Sequence, residues 1–213
     1  MKLTKPLTAL AAAGSLAALS LGLVLPQAEA TTTAVATTAS TVRPALATYE
    51  IDPVHTTVVF GAQYMGMGHF WGQFTEYSGT LDYDGENADS FKVSLEIPMS
   101  SIDTHNDARN DHLQQADWFN AREYPTVKFV SKSLTANDDD TYTLTGDLTL
   151  HGVTKEVEAE VKNLAAKSTP RGDRCGFDAT FTVDRTEFGV TNMAGENGIG
   201  EEITLMVGVQ STK

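Results

Sequence analysis

The chain has 213 residues, and its 28 acidic and 15 basic side chains give a net charge of −13. That balance repels phosphate backbones and anionic lipid surfaces, so nucleic-acid binding is disfavoured and none is expected. A single cysteine, Cys175, excludes an intrachain disulfide framework and reads as a small apolar filler.

In chain order, the first element is an export leader. Lys2 and Lys5 precede an apolar stretch over 7–25, and Ala28-Glu29-Ala30 has the small-x-small pattern of a cleavage site. A retained membrane span is the rival reading. Gly14, Ser15, Ser20, Gly22 and Pro26 argue against it, so residues 1–30 are expected to be a removable signal peptide. Residues 31–47 are Thr- and Ala-rich without periodicity and read as a flexible linker. Residues 48–213 have the length of one domain. The expected location is the periplasm or the exterior of a bacterial envelope, with no stable membrane anchor after cleavage.

The domain then alternates apolar and polar residues in short runs. A strand is expected from near His55 to Tyr64, followed by the soft Met65-Gly66-Met67-Gly68 segment. A second runs from about Trp71 to Tyr83, with Gly79 marking a bulge or bend. Phe91 to Pro98 is the clearest strand, with Phe91, Val93, Leu95 and Ile97 on one face. The pattern then breaks, and Thr104-x-x-Asp107 opens a short helix expected at about 106–116. Strands follow at 126–133, 142–150 and 153–164. Two last strands, around 177–183 and 203–209, flank a Gly-rich loop over 193–200. The sum is about eight strands and one helix. Eight antiparallel strands suffice to close a barrel and abolish exposed edges. The small residues Ala62, Gly79, Gly146, Ala159 and Ala179 recur on the apolar faces. They either leave room for a guest or ease the coiling of the sheet.

Four blocks then carry a resemblance. They are Asp52-Pro53-Val54-His55-Thr56 with Phe60 and Gly72-Gln73-Phe74; Thr104 to Arg109 with His112-Leu113, Ala116 to Asn120 and Tyr124-Pro125; Thr145 to Thr149 with Gly152 to Lys155; and Val183-Asp184-Arg185 with Phe188-Gly189. In this order they resemble the YceI-like family of exported polyisoprenoid-binding proteins, across nearly all of the chain from Tyr49 onward. The resemblance implies an all-β, lipocalin-like antiparallel barrel with a hydrophobic tunnel. It also implies an isoprenoid ligand such as a quinone or a polyprenyl derivative. Gln114 stands where relatives often carry a basic residue, which points to a neutral head, with a fatty amide as a further candidate.

The expected tunnel lining is Val58, Phe60, Phe74, Phe91, Leu95, Phe129, Leu148 and Phe181. Met65 and Met67 are candidates for a pliable mouth, because thioethers adapt to irregular apolar shapes. His105, Arg109 and His112 fall at helical spacing and form a candidate head-group stripe. The bland alternative is that Arg109 and His112 pair with carboxylates and fix the helix. No catalytic residue, metal site or resident cofactor is expected; the non-covalent partner is an amphipathic lipid. No Gly-x-Ser-x-Gly elbow occurs, and no His-x-His or His-x3-His spacing is present. Two alternatives stay open: an enzyme (a hydrolase included) or metal protein using His112, His55 and nearby carboxylates, and a ligand-free structural or stress protein. The sequence also leaves monomer and homodimer open.

Overall fold

The computed structural model describes residues 46–195 and 197–213; the expected signal peptide and residues 31–45 of the expected linker lie outside the described residues. The chain forms β1 (Ala47–Ile51), β2 (Thr57–Tyr64), β3 (His69–Phe74), β4 (Ser78–Tyr83), β5 (Lys92–Pro98), β6 (Ile102–Asp103), α1 (Asp107–Leu113), β7 (Thr126–Ala136), β8 (Tyr142–Leu150), β9 (Val153–Thr169), β10 (Gly172–Asp184) and β11 (Ile199–Thr212). All strands pair antiparallel in one sheet. Three pairs of segments share a position: β1 with β2, β3 with β4 and β5 with β6. The result is the expected eight-stranded barrel, closed where β1 meets the end of β11 at Glu50↔Thr212 and Ile51↔Ser211.

The first strand position is kinked, and the Asp52 to Thr56 block is the kink. Pro53 has no amide hydrogen, so the ladder breaks there. Asp52 closes the turn: its Oδ1 accepts from the Val54 amide at 2.9 Å and its Oδ2 pairs with His55 Nδ1 at 2.8 Å. The Thr56 hydroxyl and the Gln210 backbone then exchange bonds of 3.1 Å, which stitches the kink to β11. The strand expected over Trp71 to Tyr83 is likewise two segments, β3 and β4. It breaks because β3 pairs with β2 and β4 pairs with β1, on either side of the same kink.

Strand direction assigns the connections to two ends. The β2–β3 turn, the 104–125 segment bearing α1, the His151-Gly152 turn and the 185–198 loop share one end, called the top. The 84–91, 137–141 and 170–171 connections share the other. At the top, Gly152 has a φ of +74° and a Cβ there would lie 2.4 Å from the Tyr124 ring, so only glycine serves. Along β8, Gly146 is not a vacant place: the Phe129 ring lies over it, and a Cβ would fall 2.4 Å from the ring and 2.7 Å from the Val130 carbonyl. Gly146→Ala is therefore expected to cost about 1–3 kcal/mol through overpacking, read as a lower urea midpoint at unchanged slope.

The turns are held by carboxylates. Asp52, Asp84, Asp103, Asp139 and Asp184 all titrate below the ordinary carboxylate range. The main causes are the His55 side chain for Asp52, the Asn87 amide for Asp84, the His105 amide for Asp103, and the Thr141 and Thr186 hydroxyls for Asp139 and Asp184. Folded values below unfolded ones mean that the unfolded chain takes up protons first on acidification. Stability is thus complete above about pH 5 and falls as pH drops through the lowered values. Thermal melts across this window should show a monotonic acid-side decline. Cys175 is buried and its thiol is pushed up to about 12 by desolvation, the state of an inert filler.

Candidate functional site

The inward faces of the strands enclose an apolar cavity of about 690 Å³, in the range of small-molecule sites. Ala62, Ala159 and Ala179 face it from β2, β9 and β10, where larger side chains would fill the axis. Seven of the expected lining residues face it: Val58, Phe60, Phe74, Leu95, Phe129, Leu148 and Phe181. Phe91 does not. It lies toward the bottom of the barrel, 5.3 Å from the Phe177 ring and 6.0 Å from Tyr83, and packs there as part of a floor. Its parity along β5 is inward, but its height places it below the cavity.

The top is built from the 104–125 segment and the 185–198 loop. The helix is shorter than expected, Asp107–Leu113 rather than 106–116. Asn106 rather than Thr104 caps it, accepting from the Arg109 amide at 2.9 Å. Thr104 instead binds the Asn110 side chain through both its amide and its hydroxyl, at 2.8 and 2.7 Å. His105 is not on the helix. It has a φ of +59°, its amide bonds Asp103, and its ring is turned to solvent, so the three-residue basic stripe does not form. Arg109 and His112 do line the cavity mouth. Arg109 donates to the Thr104 hydroxyl at 2.7 Å and carbonyl at 2.6 Å, and stacks 4.9 Å over the Phe70 ring. It is thus tied to β3 through a ring rather than a carboxylate. His112 pairs with Asp117 at 3.1 Å, and Asp117 also accepts from Asn192 at 2.9 Å. This chain of bonds straps the helical segment to the 185–198 loop across the opening.

Met65 and Met67 do not line the cavity. They project from the β2–β3 turn, while their neighbours Tyr64 and Gly68 face inward. His55 sits in the β1–β2 kink on its own carboxylate, Asp52, away from the lining that includes His112. The two histidines share no site. Among the described residues, no group of three His, Cys, Asp or Glu side chains is arranged to hold a metal ion.

Arg185 is the site residue that sequence reasoning passed over. It faces the cavity yet is only 3% exposed. Its guanidinium donates to four backbone carbonyls: Val190 at 2.6 Å, Ile199 at 2.9 Å, Asn192 at 3.0 Å and Gly200 at 3.0 Å. It also stacks 5.5 Å over Trp118. Desolvation lowers its basicity, and the charges of Glu201 and Asp184 offset part of that effect. Its parity was the signal: Ala179, Phe181, Val183 and Arg185 alternate onto the inner face. The lining is therefore apolar in the shaft, with Tyr64, His69, Arg109, His112 and Arg185 supplying donors near the top.

This geometry has relatives. The YceI-like domain model matches residues 49–211. Protein YceI of Escherichia coli is 34% identical over 170 residues, which span 78% of this chain and 87% of that protein. The crystal structure of the Campylobacter jejuni YceI protein is 26% identical, with a TM-score of 0.64 over 71% of this chain and 89% of that one. A polyisoprenoid-binding domain from Saccharophagus degradans shares the fold at 16% identity, with a TM-score of 0.59 over 77% of this chain and 97% of that one. A domain-length match to the family model, a curated relative at one-third identity and a common closed barrel agree: the chain belongs to the YceI-like family.

Proposed function

We propose that this protein is an exported carrier or sequestering protein that holds one amphipathic isoprenoid-type lipid, such as a quinone or polyprenyl derivative, in the barrel cavity. The observation that carries the reading is the cavity itself. At about 24 cal/mol per Å³, a dry and empty void of about 690 Å³ would cost about 17 kcal/mol. That matches or exceeds the whole stability of an ordinary domain. An apolar guest removes the cost, and each buried methylene contributes about 0.8 kcal/mol before the costs of association. The donors near the top suit a head group with acceptor oxygens. The Saccharophagus degradans polyisoprenoid-binding domain, which has the same fold, supports the ligand class. The leader-like residues 1–30 support export. The mechanism is passive: the tail displaces water from the shaft, and the head stays at the mouth. No step of bond making is involved.

The test is a titration with detergent-solubilised isoprenoid quinones of increasing tail length. Affinity should rise with each isoprene unit until the shaft is full and then level off. Equal affinity for a tail-less quinone and a long-tailed one would contradict the reading.

A further inference from the structure

The outer wall of the barrel is unevenly charged. Lys128 pairs with Glu96 at 2.7 Å, Lys132 with Glu156 at 3.0 Å and Lys155 with Glu187 at 2.9 Å, which laces the β5, β7, β8 and β9 side with ions. The opposite sector has none. Residues 53–75, which hold β2 and β3, contain no Asp, Glu, Lys or Arg, and neither does β11 from Ile203 to Thr212. These strands are neighbours, in the order β11, β2, β3. In a chain of net charge −13, this is one continuous charge-free wall.

The wall ends at the cavity mouth in a cluster of exposed apolar side chains. Tyr64, Met65 and Met67 form the tip of the β2–β3 turn, and Met67 is 65% exposed. Met193 joins them, because the Met65 amide bonds the Gly198 carbonyl at 2.7 Å and the Ile199 amide bonds the Met193 carbonyl at 2.8 Å. Trp71 is exposed on the outer face of β3, opposite Gly61 and thus three residues below Tyr64. At the rise of a strand that is about 10 Å below the tip, the depth between the acyl boundary and the head-group belt where indole rings settle.

We propose that the mouth docks on the surface of a lipid bilayer, inserting the Tyr64 to Met67 tip and Met193 at the acyl boundary with Trp71 at head-group level. The lipid then passes between bilayer and cavity without crossing water. Charge complementarity selects this occupant. A charge-free sector fits a zwitterionic surface, while Glu201 and Glu202, on β11 at the mouth end between the Tyr64 and Ala62 pairings, and the acidic remainder of the chain are repelled by an anionic one. The inference rests on the lipid-carrier reading for its purpose, but docking is measured without any cargo.

The test is co-flotation of the purified chain with phosphatidylcholine vesicles, together with quenching of Trp71 by brominated phosphatidylcholine. The quenching is read as the difference between the wild type and Trp71→Phe. The expected results are flotation, Trp71 quenching and a loss of both by at least about tenfold in Met65→Asp/Met67→Asp. Val130→Asp, an exposed site on β7 outside the cavity, should behave as wild type. Mixing phosphatidylglycerol into the vesicles should weaken binding at low salt. Unquenched Trp71, or flotation indifferent to the methionine changes, would overturn the docking inference. So would a wild-type dimer that Trp71→Glu converts to monomer, since the wall would then serve a second copy. A protein that fails to dock yet binds solubilised quinone would refute docking alone and leave the carrier reading in place.

Discussion

Ala179→Trp should abolish lipid retention while leaving the barrel folded. Ala179 is 5% exposed, faces the cavity from β10, and stands opposite Val207 and Val161 on the two neighbouring strands. An indole at this point projects along the shaft and occupies the volume a tail needs. Excluding about four methylenes forfeits about 3 kcal/mol, more than a hundredfold in affinity. The apolar ring meets an apolar void, so the usual overpacking cost of about 1–3 kcal/mol is offset by the cavity it fills. The melting temperature should hold or rise as the dissociation constant climbs. Phe181→Asp loses lipid by another route, since it places a carboxylate in an apolar shaft and should lower stability as well. The contrast separates plugging from unfolding. An Ala179→Trp protein that holds the same lipid as tightly as the wild type would show that the tail does not lie in this shaft.

Arg185→Ala should lose about 3–5 kcal/mol of folding stability, because the bonds of one buried charged donor to four carbonyls are lost together. Four carbonyls, those of Val190, Asn192, Ile199 and Gly200, lose a charged donor at once. Each such bond contributes about 1.5–3 kcal/mol, and a buried acceptor left unpaired adds a penalty. Arg185→Lys should recover little, because an ammonium offers three donors from one point and cannot span carbonyls contributed by both ends of the loop. Urea denaturation measures the loss. Hydrogen exchange should show the 185–198 loop opening well below the barrel strands. A change under about 1 kcal/mol would mean that water satisfies these carbonyls equally well.

The barrel was legible because its strands bury one face and wet the other. β8 reads with its bounds intact and β5 to within one residue, since Leu144, Leu148 and Leu150, or Val93, Leu95 and Ile97, alternate with polar neighbours over a full strand length. β1 was missed as a strand because Ala47 to Ile51 is too short to show a period and adjoins a Thr- and Ala-rich stretch. Parity reports which side of the sheet a residue faces, not its height along the barrel axis. Hence Phe91 was placed in the shaft although it helps to floor it. Glycines leave a similar choice open: Gly146 fits either room for a guest or an eased sheet, and only the cross-strand Phe129 ring over it removes the first. The helix stripe failed on one backbone angle, the positive φ of His105, which spacing alone does not reveal. Arg185 is readable from its inward parity, but a charged side chain within the Val183-Asp184-Arg185 block carries no sign in sequence that it is a structural clasp. Its hydrogen-bond partners are all backbone carbonyls, which no pattern of side chains announces.

In the carrier reading, a hydrocarbon tail occupies the hollow axis. Native mass spectrometry of the protein purified from its own host reads this directly. The predicted spectrum shows the chain plus the mass of one lipid, and the added mass disappears in Ala179→Trp. A wild-type protein that emerges at the mass of the bare chain, and takes up no lipid when offered a total membrane extract, would contradict the claim.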